Sequence, residues 1–175
     1  MSPALRKLVL TSHLTSSLAW FGAVASFLAL ATAGLVGATD QTARSAYQAM
    51  QLITWWTIVP LCVAALLTGL IHSLGTPWGL FQHYWVVVKL LLTLFATVVL
   101  LVHTQPIGVL AAAAADGSLS DPQLRSIKIQ LVVDASAAMF VLVVATVLAV
   151  YKPRGMTPYG WRKQRGVAAH SPPTT

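Results

Sequence analysis

Long apolar stretches without charge dominate the chain and predict its fold. No Asp, Glu, Lys or Arg occurs within residues 8–39, 45–88 or 90–115, and the stretch 129–151 contains only Asp134. A charge in the middle of a bilayer is costly and rare, and a spanning helix needs about 20 predominantly apolar residues. The pattern therefore predicts an all-α polytopic membrane protein, a bundle of four transmembrane helices. The spans are expected near residues 10–36, 49–73, 84–104 and 127–151.

Turn-forming residues separate these spans. Gly37-Ala38-Thr39-Asp40 ends the first, and the Gly- and Pro-rich stretch 75–79 follows the second. Gln105-Pro106 is expected to close the third span. Asp116-Gly117 stops the Ala-rich stretch beyond it, and Ser120 or Asp121 can cap the fourth helix ahead of Pro122. A kink is expected at Pro60, midway along the second span.

The first span has an alternative interpretation as a secretory signal peptide. Arg6-Lys7 precedes the apolar run, and Ala29-Leu30-Ala31 resembles a cleavage site. A signal core is typically about 7–15 residues long, and this run is longer. We therefore predict that the first span is retained.

Composition and charge narrow the class of protein. Of the 175 residues, 57% are hydrophobic and 9% are charged, whereas a soluble domain carries about 25% charged residues. The net charge of +7 does not indicate a nucleic-acid partner, because the basic residues lie at the chain ends and not along one folded surface. Cys62 is the only cysteine, so packing must hold the fold without an intrachain disulfide.

The basic residues predict the orientation. An even number of spans places both termini on one face, and that face has the larger share of Lys and Arg. Both termini are therefore predicted to be cytoplasmic, in a multi-pass protein of the cell membrane. The tail 152–175 is expected to be disordered, with His170 in solvent. Its bases could attract anionic lipid head groups, at about 1 kcal/mol each, or serve only as a topology signal. The bases of the cytoplasmic face are Arg6, Lys7, Lys152, Arg154, Arg162, Lys163 and Arg165.

Ionisable residues inside predicted spans are candidates for function. The topology places His13, His72 and Lys89 near the cytoplasmic ends of three different helices. His103 follows Lys89 by 14 residues, or roughly 21 Å along a helix. It should therefore lie near the outer face, where Asp134 can pair with it.

Helical phase adds a second constraint. Lys89, Thr93 and His103 fall on one narrow stripe of the third helix, which should face the bundle interior. Trp20 shares a face with His13 on the first helix. His83 lies off the stripe, beside Tyr84 and Trp85, and is interpreted as an interfacial residue of an aromatic belt.

The depths of His13 and Lys89 suggest a cofactor site. Two side chains at one depth on separate helices suit axial ligands of a cofactor held between them, with His72 as an alternative ligand. A structural or interfacial role stays open for each residue, and Lys89 can reach the membrane surface through its flexible chain. No HExxH or CxxC motif is present.

Two short motifs carry a resemblance to known families. The segment HLTSSLAWFG runs from His13 to Gly22, and WVVVKL begins at Trp85, with His103 downstream. Both resemble motifs of the haem-binding membrane protoporphyrinogen oxidase and of CopD-like copper-resistance proteins. The chain also resembles an actinobacterial family of small integral membrane proteins of unknown function, over nearly its whole length, including LGTPWG at 74–79 and YKPRG at 151–155. The resemblance to the oxidase implies that His13 and Lys89 correspond to its essential haem-associated His and Lys.

The leading expectation is therefore a b-type haem, or a related redox cofactor, in the cytoplasmic half of the bundle. His13 and Lys89 are the first candidate ligands, and Trp20 could pack on the macrocycle edge. A second hypothesis is a non-catalytic accessory subunit, with a membrane protein or a second copy as partner. A third is a transporter or proton relay through Asp134, His103 and Lys89. Copper is disfavoured because the Met- or Cys-rich ligation expected for Cu(I) is missing.

Overall fold

The computed structural model describes residues 2–37, 39–75, 80–151 and 155–169. Within them, no strand forms, and four helical stretches are long and apolar enough to cross a membrane. The predicted four-helix membrane bundle is thus confirmed. The helices are α1 (Pro3–Val36), α2 (Asp40–Ile53), a π-helical turn (Thr54–Ile58), α3 (Val59–Leu74), α4 (Tyr84–Asp116), α5 (Leu124–Tyr151) and α6 (Pro158–Ala169).

The second crossing is one continuous stretch made of α2, the π-helical turn and α3. Proline cannot donate a backbone hydrogen bond, so Pro60 requires an adjustment of the helix. The π-helical turn lies just before Pro60, and the backbone N–H of Val59 bonds to the carbonyl of Thr54. The hydroxyl of Thr54 donates to Met50 O at 2.7 Å. The helix therefore accommodates this proline by forming one π-helical turn before it.

Two crossings extend further than the sequence predicted, at the end of the bundle away from the N-terminus. The second crossing begins at Asp40, capped by the hydroxyl of Thr39, and not near residue 49. The third was predicted to end at Gln105-Pro106, but α4 continues through Pro106 to Asp116. The continuation is stabilised by packing of α4 against α2, which buries Leu110 and the alanines around it. Tertiary burial thus outweighs the helix-breaking tendency of one proline.

The end of α4 matches the sequence prediction. Gly117 adopts a left-handed conformation with φ of 79°, and its N–H bonds to Ala113 O. This is a common way to end a helix, and glycine adopts it at no steric cost. Asp121 then accepts a hydrogen bond from the backbone of Gln123 at 2.9 Å, immediately before α5.

The prediction of a wholly disordered tail was wrong for residues 158–169, which form α6. Thr157 is the anchor: its backbone N–H donates to Gln82 O at 2.9 Å, and its hydroxyl donates to Phe81 O. Gly160 N–H in turn donates to the Thr157 hydroxyl. These contacts are with the segment before α4, far away in sequence, so local composition could not reveal them. Residues 152–154, 170–175 (with His170) and 76–79 lie outside the described residues.

The bundle core lies between α1 and the other crossings. α1 packs against α2, α3 and α5, while α4 packs mainly against α5 and α2. Small residues permit close approach between membrane helices, and Gly34 shows this most clearly. A Cβ at Gly34 would lie 2.6 Å from Cζ of Tyr47, a buried ring on α2.

The topology can be tested through the chain's single cysteine. Cys62 is 1% exposed, so it should not react with a membrane-impermeant maleimide. We expect Ser118→Cys, in the exposed turn between α4 and α5, to be labelled in intact cells. Ser2→Cys should be labelled only after permeabilisation, because both termini are predicted to be cytoplasmic. The reverse pattern would contradict the orientation.

The contact between Gly34 and Tyr47 predicts a stability change. Gly34→Ala should lower the unfolding free energy by about 1–3 kcal/mol, the typical cost of overpacking a well-packed core. Gly22→Ala is the matched control, because nothing lies within 4 Å of a Cβ there. Both values can be measured by SDS titration in detergent micelles. Equal stability of the two variants would show that α1 and α2 do not pack in this way.

Candidate functional site

The structure brings His13 and Lys89 together across the bundle. Nζ of Lys89, on α4, lies 3.2 Å from Nε2 of His13, on α1. Both side chains are partly buried, and the contact lies at the end of the bundle where α1 and α4 begin. The residues that depth and phase selected are therefore direct neighbours.

The imidazole of His13 is also fixed by α3. Its Nδ1 lies 3.0 Å from Ala65 O and 3.2 Å from the hydroxyl of Thr68. A carbonyl oxygen only accepts hydrogen bonds, so Nδ1 carries the proton. In the neutral ring, Nε2 then presents its lone pair toward Lys89, which donates to it. The backbone of α3 thus sets both the orientation and the tautomer of His13.

Gly69 lets α1 and α3 approach at this point. A Cβ at Gly69 would lie 2.9 Å from Cε1 of His13, so a larger residue would displace the ring. His72 follows Thr68 by one turn of α3 and is half-buried. No group of three or more His, Cys, Asp or Glu suited to a metal ion occurs among the described residues.

Polar contacts continue along α4 from Lys89 toward mid-membrane. The Thr93 hydroxyl donates to Lys89 O at 2.9 Å, and the Thr97 hydroxyl donates to Thr93 O at 2.8 Å. The Thr97 hydroxyl also lies 3.1 Å from Sγ of Cys62 on α3. These hydroxyls are therefore satisfied within the bundle, mostly by backbone carbonyls of their own helix.

A second ionisable pair lies further along α4, toward the end of the bundle away from His13 and Lys89. Nε2 of His103 is 2.8 Å from Oδ2 of Asp134 on α5. The sequence predicted that these two residues can pair. Nδ1 of His103 lies 2.7 Å from Val99 O and must therefore carry a proton. The amide of Gln130 lies 3.2 Å from the same Nε2.

Trp20 lies beside the His103–Asp134 pair and not with His13 and Lys89. Its ring is 4% exposed and lines a cavity of about 120 Å³ together with His103 and Asp134. Neither His13 nor Lys89 lines this cavity. His83 directly precedes α4 and pairs with Met156 of the tail through a backbone bridge.

The ring nitrogens of His13 have different partners. Metal-binding histidines almost always donate their other ring N–H to a carbonyl or carboxylate, and Nδ1 of His13 makes such a contact with Ala65 O. Nε2 lies 3.2 Å from Nζ of Lys89.

Several hydrogen-bond partners in these sites could not be predicted from the sequence. The Ala65 carbonyl carries no side-chain signal, and the contact between Cys62 and Thr97 joins residues 35 positions apart. The contact between Thr68 and His13 depends on how α1 docks on α3. Comparison with protein-family models, curated proteins and solved structures finds no match to this chain.

Proposed function

We propose that this integral membrane protein binds a b-type haem, with His13 as an axial ligand. The observation that carries the proposal is the orientation of His13. Its Nδ1 is held by a backbone carbonyl of α3, and its Nε2 contacts Nζ of Lys89 between α1 and α4. The resemblance of the segments around His13 and Lys89 to the oxidase family supports the same assignment. Haem would supply one-electron chemistry at this site.

The chain's own residues perform three tasks in this proposal. Ala65 O makes the imidazole a stronger donor by accepting its Nδ1–H. Lys89 places its amine 3.2 Å from Nε2, and this residue would lie beside the cofactor if haem were bound there. Burial of both side chains limits access of water. His72, one turn along α3, is the alternative ligand.

The proposal predicts a specific dependence of the haem spectrum on His13. Protein purified in detergent from haem-sufficient cells should show a Soret band and a reduced-minus-oxidised difference spectrum. His13→Ala should lose most of the band because the iron loses its ligand. His83→Ala, the same change at a histidine before α4, should keep it. Lys89→Met should keep the band, because Lys89 is a neighbour of the ligand.

Two results would contradict the proposal. One is wild-type protein without a Soret band after reconstitution with excess hemin. The other is a band of equal intensity in the His13→Ala and His83→Ala proteins. A band that depends on His72 and not on His13 would also contradict the assignment of the ligand.

The other hypotheses from the sequence receive less support. A proton relay would connect the inner and outer pairs, but the hydroxyls of Thr93 and Thr97 donate to backbone carbonyls. Across the described residues, no continuous chain of side-chain hydrogen bonds links Lys89 to His103. A role as accessory subunit, a second copy as partner and binding of anionic lipids by the tail stay predictions.

A further inference from the structure

We propose that α6 forms a binding surface for the phosphate head groups of anionic phospholipids. The surface consists of the exposed side chains of Tyr159, Trp161, Arg162 and Arg165. It goes beyond the haem proposal, because it uses none of the residues assigned to the haem. The two proposals can therefore fail independently.

The position of α6 is fixed where α4 begins. Thr157, immediately before α6, donates hydrogen bonds to the carbonyls of Phe81 and Gln82. Gly160 packs closely on the same segment, because a Cβ there would lie 2.6 Å from Gln82 O. Gln82 lies two residues before α4, which is long and apolar enough to cross a membrane. The helix is therefore held at the point where the chain enters the bilayer.

Exposed aromatic side chains occur on both partners of this contact. In α6, Tyr159 is 56% exposed and Trp161 is 53% exposed. Phe81 and Tyr84, on either side of the docking residue Gln82, are exposed to a similar degree. Tyr and Trp are enriched where a membrane meets water, because one end of each side chain is apolar and the other is polar. These rings indicate that α6 lies at the level of the lipid head groups.

Two arginines point away from the docked side of α6. Gly160 marks that side, because it packs against Gln82. At about 100° per residue, Arg162 and Arg165 lie about 60° apart on the opposite side, and both are exposed. Their guanidinium groups therefore face the surroundings of the bundle, while the aromatic rings flank them.

The chain provides no Asp or Glu near these arginines. All four acidic residues lie where α2 begins, where α4 ends, before α5, or in the pair with His103, and they are Asp40, Asp116, Asp121 and Asp134. Guanidinium binds phosphate through paired hydrogen bonds. An anionic phospholipid thus matches both the charge of α6 and its aromatic rings, whereas an acidic protein segment would match only the charge.

The test compares two lipids whose head groups differ in charge. The full chain in detergent is titrated with phosphatidylglycerol or with phosphatidylcholine of the same acyl chains. Native mass spectrometry gives the dissociation constant of the first bound lipid. We expect phosphatidylglycerol to bind about ten-fold more tightly, because each arginine near anionic lipid contributes up to roughly five-fold. Inorganic phosphate, which has no acyl chain, should not displace it.

Two double variants locate the surface. Arg162→Gln with Arg165→Gln should reduce the preference for phosphatidylglycerol to about two-fold or less, because both guanidinium groups are lost. Arg6→Gln with Lys7→Gln is the matched control, because it removes the same charge from exposed residues near the beginning of α1. This control should keep most of the preference.

A third variant tests whether the anchored position of α6 matters. Thr157→Val leaves every charge in place but removes the hydroxyl that bonds to Phe81 O and Gly160 N–H. It should weaken the preference for phosphatidylglycerol by about three-fold or more, because α6 loses part of its anchor.

The opposite outcomes would overturn the proposal. Equal binding of the two lipids would show that the head-group charge is not recognised. Displacement by inorganic phosphate would show a site for a free anion. Equal losses in the two double variants would show general attraction to basic residues, and an unchanged preference in Thr157→Val would show that the docked helix is not needed. His13→Ala should keep the lipid preference, so failure of the haem proposal is distinguishable from failure of this one.

Discussion

The constraint on which this structure depends is that a polar side chain inside a bilayer must find its partner within the protein. His13 shows how this organises the bundle, because its imidazole contacts α3 through Ala65 O and α4 through Lys89. One side chain of α1 therefore connects three of the four crossings. Since α4 packs mainly against α5 and α2, this polar contact is what joins α1 to the beginning of α4.

The same helix supplies an ionisable residue to each half of the membrane. Lys89 pairs with His13 near the beginning of α4, and His103 pairs with Asp134 roughly 21 Å further along this helix. The His13–Lys89 pair lies beside an anchored imidazole contact, whereas the His103–Asp134 pair adjoins a cavity. The hydroxyls of Thr93 and Thr97 between them donate to backbone carbonyls of α4.

Much of the fold could be predicted from the sequence, because charges are excluded from the membrane interior whatever the tertiary contacts are. The intervals between charges therefore gave four crossings, and Gly117 marked the end of α4. The continuation of α4 through Pro106 and the tail helix could not be predicted, since both depend on contacts between distant segments. The residues of the candidate site were likewise predictable only in part. Depth and helical phase selected Lys89 and His103, but carbonyl partners such as Ala65 O and Val99 O become visible only when the helices are docked.

The contact between His13 and Lys89 is the central claim of this account, and a double-mutant cycle tests it most directly. The unfolding free energies of His13→Ala, Lys89→Ala and the double variant can be measured in the same detergent. Hydrogen bonds between membrane helices contribute about 0.6 kcal/mol on average and up to about 1.7 kcal/mol, so we expect a coupling energy in this range. The pair His13→Ala and His103→Ala, roughly 20 Å or more apart by helix rise, should be additive. Additivity within about 0.3 kcal/mol for His13 and Lys89 would contradict the contact and the site built on it.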